Sequence, residues 1–250
     1  MTIQTVFEKH QNPLISYLMV GDGGYDKSLA YAKFLIDSGV DMLELGVPFS
    51  DPVADGEIIL KAGQRALKSG ADIDMVFEMA KALNSEYEVP LVIMSYLNPI
   101  FCYGYDRFFS QMAKHGIEAV IIPDLPFEER GEIESYLKQY DVKQIAMVAL
   151  NTGEDRLKAI AENSSGFVYL VAVKGITGTQ RPMIEAVGDV AKSIKAATKT
   201  PVVAGFGIKS SEDIEAFHRI VDGIVIASEF IRLREEGELD SIRALIKTGK

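Results

Sequence analysis

Cysteine is almost absent from this 250-residue sequence. Cys102 is the only one, so no internal disulfide forms, and a reducing compartment is expected. Histidine is nearly as scarce: His10, His115 and His218 are scattered, none pairs with another at metal-ligand spacing, and all three read as surface or core residues. The glycines after the first apolar run, Gly21, Gly23 and Gly24, do not give the GxGxxG turn of a dinucleotide site. No apolar run reaches the roughly 18 residues of a membrane span, and the N-terminus, MTIQTVFEKH, has no apolar signal core, so a soluble, cytoplasmic protein is expected. Basic charge is also short. Lys and Arg number 26 against 36 Asp and Glu, giving a net charge of −10 and a pI of about 4.9. That balance argues against nucleic acid or an anionic membrane as the main partner. It leaves a small phosphorylated ligand open, because backbone N–H groups hold phosphate with little help from cationic side chains.

What the sequence has is a repeating alternation of short apolar runs and helical patterns, with 48% hydrophobic residues to fill a core. The runs LISYLMVGDGG (14–24), MLEL (42–45), PLVIMSY (90–96), AVII (119–122), QIAMVAL (144–150), FVYLVAV (167–173), PVVAGFG (201–207) and GIVIAS (223–228) read as strands. Between them lie helical stretches at 25–38, 58–68, 73–83, 105–115, 127–140, 154–163 and 183–197, one capped by Ser210 or Ser211 with Asp213 in its first turn, and a last one at 239–246. A short segment at 1–12 opens the chain, and Asn98–Pro99 begins a loop. Eight strands, nearly all apolar, fit a parallel sheet covered by helices. The expected fold is a single-domain (β/α)8 barrel over residues 1–250 with extra short helices, for which about 250 residues is the usual size. A doubly wound open sheet is the alternative. No linker or low-complexity run marks a boundary.

The stretch LELGVPFSDPVADG (43–56) carries the most chemistry. Side chains alternate along a strand, so Met42 and Glu44 share one face and Leu43 and Leu45 the other. With the leucines on the helices, Glu44 points into the barrel, where scarce water raises its pKa and suits it to general acid catalysis. A structural carboxylate bonded to barrel neighbours is the other reading. Asp55 serves either as a base or acceptor for a substrate N–H or O–H, or as the N-cap of the helix starting near Ile58; Asp51, before Pro52, shapes a turn. At the other end of the chain, Gly175–Ile176–Thr177–Gly178, Gly205–Phe206–Gly207 and Ala227–Ser228 offer open backbone amides after strands six, seven and eight, where barrels often hold phosphate. The stretch SEFIR (228–232) supplies a short helix there, with the Ser228 hydroxyl as a further donor. Tyr17, Tyr96 and Tyr169 lie near strand ends, where they line a pocket or simply pack; the nine methionines read as core.

Taken together, LELGVPFSDPVADG, the early VGD (20–22), PDLP (123–126), GITG (175–178) and GFGI (205–208) resemble the tryptophan synthase alpha subunit family in order and spacing along essentially the whole chain. The resemblance implies a (β/α)8 barrel that cleaves indole-3-glycerol phosphate to indole and glyceraldehyde 3-phosphate by a retro-aldol reaction, without a cofactor. It implies a beta subunit partner in an alpha2beta2 complex, which carries pyridoxal phosphate and receives the indole. It assigns acid/base work to Glu44 and the indole N–H to Asp55. Tyr17, Tyr96 and Tyr169 become substrate-pocket residues, Thr177, Gly178, Gly207 and Ser228 fall at the substrate's phosphate, and the loop around Asp51 and Pro52 meets the partner. The chain departs from the family pattern in three places: Glu57 stands where Pro is frequent, Ala172–Val173–Lys174 where the sixth loop commonly begins Ser-Arg, and Ala227 where Gly precedes the serine. A different sugar-phosphate barrel and a non-catalytic barrel that activates a partner are the competing functions; the SDPVADG loop argues against the first, intact Glu44 and Asp55 against the second.

Overall fold

The computed structural model describes residues 1–171 and 180–250. The chain enters through α1 (Ile3–Lys9), whose N-terminus is capped by the Thr2 hydroxyl, 3.1 Å from the Thr5 amide. The alternation expected from the apolar runs then follows: β1 (Leu14–Met19), α2 (Tyr25–Asp37), β2 (Met42–Gly46), α3 (Glu57–Lys68), α4 (Ile73–Asn84), β3 (Leu91–Met94), α5 (Leu97–Tyr103), α6 (Tyr105–Lys114) and β4 (Ala119–Ile121). A 3-10 turn (Phe127–Glu132) leads into α7 (Glu134–Tyr140), β5 (Lys143–Gln144), β6 (Ala146–Ala149), α8 (Glu154–Glu162), β7 (Val168–Val171) and α9 (Gln180–Ala197). The chain ends with β8 (Val202–Ala204), α10 (Ser211–His218), β9 (Gly223–Ile226), α11 (Ser228–Glu236) and α12 (Leu239–Thr248).

All strand pairs are parallel, in the order β5-β4-β3-β2-β1-β9-β8-β7-β6. The outermost two, β5 and β6, are halves of one passage through the wall, separated by Ile145. One half pairs with β4 and the other with β7, so the nine described strands make the eight staves of a nearly closed (β/α)8 barrel.

Alternation along the strands sorts the core into two layers. Leu43, Leu45, Leu91, Ile93, Val168 and Leu170 face outward and pack under the helices. Ile15, Tyr17, Met42, Val92, Tyr169 and Val203 fill the barrel, and Ile3 and Val6 of α1 pack into this inner cluster. Met42 and Glu44 therefore do share the inner face, with the two leucines outside.

Local departures from expectation have local causes. The helix read at 127–140 is split, because Gly131 interrupts it and only the stretch after Ile133 settles into α geometry. The Asn98–Pro99 loop is instead the first turn of α5. Proline fits there because first-turn amides have no intrahelical acceptor, and the Leu97 amide bonds Asp124 at 2.9 Å. The Ser210 cap of α10 is present as a full capping box with Asp213. The SEFIR helix extends to Glu236.

Candidate active site

At the C-terminal mouth of the barrel lies a cavity of about 950 Å³, and its walls collect most of the residues singled out from the sequence. Glu44 projects into it from the middle of β2, in register with Tyr17 of β1 and Val92 of β3. It is 0% exposed, and neither carboxylate oxygen has a hydrogen-bond partner among the described residues. A lone carboxylate in such surroundings resists ionisation, and burial pushes its pKa up to about 8. It is thus a protonated acid at neutral pH, and the bonds that a structural carboxylate would make to its neighbours are not found among the described residues.

Tyr17 and Tyr169 flank this acid. Both are buried, and both phenols are held well above their usual pKa, first by burial and then by nearby carboxylates: Asp55 and Glu44 for Tyr17, Glu44 for Tyr169. They remain neutral O–H groups. Two glycines make room for them. A Cβ on Gly46 would stand 2.1 Å from the Tyr17 hydroxyl, and one on Gly205 would stand 2.1 Å from that of Tyr169.

Asp55 also lines the cavity. Its Oδ1 accepts a 2.9 Å hydrogen bond from the Tyr96 hydroxyl, which itself accepts one from the Ala54 amide at 2.9 Å. The N-cap of α3 is Gly56, with no side-chain capping bond, so the N-cap reading of Asp55 is displaced. Burial raises the Asp55 pKa, and the Tyr96 hydrogen bond opposes that rise. Tyr96 itself stands behind the cavity rather than in its wall. It is 5% exposed, packs its ring on Phe49 at 5.5 Å and fixes the acidic loop. Asp51 is exposed, bonded by Ser50 in the same loop.

The opposite wall carries Gly205, Phe206 and Gly207 after β8, and Ala227 and Ser228 at the head of α11. No side chain caps α11, and among the described residues none takes the amides of Ser228, Glu229 or Phe230. A helix end of this kind attracts an anion. Gly207 has φ +70°, a conformation only glycine adopts readily, whereas Ala227 has φ −114° and packs its methyl against the inner core, so alanine is compatible with the backbone there. Thr177, Gly178 and the Ala172–Val173–Lys174 departure lie outside the described residues.

Several lining residues escaped the sequence reading. Met94, Met147, Val171, Ile58 and Ile59 give the cavity an apolar middle suited to a flat aromatic ring. The methionines read as generic core; their place at strand ends was the available signal. Glu229 and Arg232 line the anion end as an ion pair, Nη2 to Oε1 at 2.5 Å, at helical spacing after Ser228. None of the three histidines lines the cavity: His10 meets Asp41 at 3.2 Å and His115 stacks on Phe77.

Comparison with known proteins agrees with this arrangement. A family model described as tryptophan synthase alpha chain matches residues 3–248. The tryptophan synthase alpha chain of Desulfatibacillum aliphaticivorans is 42% identical over 228 residues, covering 91% of this chain and 86% of that protein. That of Bacillus cereus strain B4264 is 38% identical over 248 residues, covering 99% and 96%. The solved structure of tryptophan synthase subunit alpha from Campylobacter jejuni superposes with a TM-score of 0.88 at 34% identity, covering 98% of both chains. With a family match over nearly its whole length and relatives of this identity and coverage, the chain belongs to the tryptophan synthase alpha chain family.

Proposed function

We propose that the cavity cleaves indole-3-glycerol phosphate to indole and glyceraldehyde 3-phosphate, with Glu44 moving the protons and Asp55 holding the ring. The observation that carries this is Glu44: a buried acid with no partner among the described residues, still protonated near neutral pH, at the end of an apolar slot. The indole lies among Met94, Met147, Ile58 and Ile59, with its N–H donated to Asp55. Glu44 gives its proton to ring carbon C3. The ring becomes cationic, and the Asp55 carboxylate stabilises that charge through the N–H. The Glu44 carboxylate so formed takes the proton of the side-chain hydroxyl next to C3. The carbon–carbon bond then breaks, its electron pair returns to the ring, the hydroxyl carbon leaves as an aldehyde, and Glu44 ends as it began. Tyr17 and Tyr169 stay neutral, keep water out and offer O–H donors beside the acid. Gly207 and Ser228, with Thr177 and Gly178, bind the phosphate through backbone amides and the serine hydroxyl.

The beta chain of tryptophan synthase is the partner that receives the indole, in an alpha2beta2 complex. The acidic loop around Asp51 and Pro52 meets it, and the exposed side chains of Val53 (81%) and Phe101 (62%) supply apolar surface after neighbouring strands at that end of the barrel. No described helix is long and apolar enough to cross a membrane, and Cys102 is free and exposed, which fits the cytoplasm. The deciding experiment incubates the pure protein with indole-3-glycerol phosphate and measures free indole. Release at the rate of the uncatalysed control, by protein shown to be folded, would remove this reading.

A further inference from the structure

Among the described residues two cations line the main cavity, Lys209 and Arg232. Lys209 is exposed, two residues beyond Gly207. Arg232 follows Ser228 by one turn of α11. A guanidinium in that place is the group expected to clamp a phosphate through two parallel N–H bonds. Arg232 does not have that edge to give. Its Nε donates to Glu229 Oε2 at 3.1 Å, its Nη2 donates to Glu229 Oε1 at 2.5 Å, and its Nη1 donates to Glu236. Glu229 stands in the cavity wall beside it, with a side chain only 9% exposed.

The pair is not what holds the helix. Phe230, Ile231 and Leu233 bury one face of α11, and Arg234 ties it to Asp22. An i,i+3 pair whose arginine side chain is 39% exposed adds little to that anchoring. Its effect falls instead on whatever binds at the head of the helix. The Glu229 carboxylate hangs from the same residue as one of the open amides, well within the Debye length of about 8 Å. Burial also keeps water from screening it. An anion at the head of α11 therefore gains from the amides and the helix dipole, is opposed by Glu229, and receives no direct bond from Arg232.

We propose that Glu229 sets the affinity of the phosphate end, its carboxylate opposing the incoming anion and holding Arg232 away from it. The inference rests on the reading that the substrate's phosphate lies at Gly207 and Ser228, and it explains why amides hold that phosphate in a wall that contains an arginine. Glycerol 3-phosphate is the probe, titrated into the intact protein, with the KM for indole-3-glycerol phosphate measured in parallel. Glu229→Gln removes the opposing charge and loosens the hold on Arg232, and Kd and KM are expected to fall at least ~5-fold. Arg232→Met leaves the carboxylate uncompensated, and both constants are expected to rise by a similar factor of ~5. The double variant loses both charges together and is expected to return to within about threefold of the wild type. A pair that merely braced α11 would instead weaken binding in both single variants. Indole, which has no phosphate, is expected to bind all four proteins within about twofold. A crystal structure of the wild-type protein with glycerol 3-phosphate is expected to keep Arg232 on Glu229. Unchanged or weaker binding by Glu229→Gln, a parallel shift in indole affinity, or a wild-type complex with Arg232 bonded to the phosphate would each overturn the proposal. The last needs no variant to fold. Glycerol 3-phosphate that binds the wild type without competing with indole-3-glycerol phosphate would remove the phosphate site itself, and the proposal with it.

Discussion

In the proposed reaction, Glu44 couples catalysis to stability through one ionisation. Its pKa is about 8 in the barrel and near 4.5 in an unfolded chain. Between those values the folded protein holds a proton that the unfolded chain has released, so stability is greatest below about pH 4.5 as far as this group is concerned, falls as pH rises, and levels off above about pH 8. The slope approaches about 1.4 kcal/mol per pH unit at most. Glu44→Gln removes it. The variant is expected to melt higher than the wild type at pH 8, with the gap shrinking toward pH 5, and to lose at least ~10²-fold in turnover. A melting-temperature difference that does not vary with pH would mean that Glu44 ionises normally. Tyr96 acts on the other acid. Tyr96→Phe deletes the hydrogen bonds to Asp55 and to the Ala54 amide while leaving the ring against Phe49. Loss of such bonds is expected to lower kcat by roughly tenfold, with little change in phosphate affinity; a KM effect alone would contradict the positioning role. The direction of Glu44 was legible in the sequence, because alternation along four residues fixes it. That of Asp55 was not, since its partner stands 41 residues away and local context equally allowed an N-cap.

Among the elements, α3 and α11 carry the two ends of the site, and one buried side chain fastens both. Asp22, in the turn after β1, accepts Arg65 of α3 at 2.6 and 2.8 Å and Arg234 of α11 at 3.3 Å, while its carbonyl takes a second Arg234 nitrogen at 2.9 Å. Arg234 also lies over the Tyr31 ring, 4.6 Å from its centre. The VGD motif therefore has a mechanical reason that the sequence hid, because its partners lie 43 and 212 residues away. The strands showed themselves as apolar runs and Ser210 as a cap, since those signals are local; the split at Gly131 and the helical turn through Pro99 depended on packing that no local pattern carries. Asp22→Asn leaves Arg234 without a charged partner among the described residues, and leaves Arg65 with Glu235 alone. It is expected to cost on the order of 2–3 kcal/mol, the low side for a broken buried pair because Arg65 keeps part of its surface in water. Loosening α11 should also raise KM several-fold through the phosphate end. Denaturant unfolding and steady-state kinetics of the same preparation check both, and a stability loss with an unchanged KM would confine Asp22 to the scaffold.

At the scale of the whole molecule, the barrel is a rigid wall with its chemistry suspended from loops. Glu44, Tyr17 and Tyr169 sit on strands or beside them and are fixed by close packing. Among the described residues Asp55 is fixed only by Tyr96 and by its place in the loop between β2 and α3, and the neighbouring Val53 side chain is 81% exposed. A group on such a loop is in place for only part of the time, and a partner that binds the competent arrangement raises that fraction. A tenfold gain in rate requires about 1.4 kcal/mol of preference for the ordered loop. The apolar surface proposed for such a partner is Val53 on this loop and Phe101, 62% exposed, on α5. Covering a side chain of that kind contributes roughly 1.5–3 kcal/mol. The beta chain is therefore expected to raise indole release at least several-fold over this chain alone. Phe101→Ala is expected to weaken the complex by about tenfold while leaving the isolated chain's turnover within twofold, because Phe101 does not line the cavity. The measurement is indole release across a titration with beta chain, with complex formation followed separately by ultracentrifugation. Full complex formation without any gain in rate would reject loop ordering as the source of activation. An unchanged affinity for Phe101→Ala would move the docking surface elsewhere on the barrel.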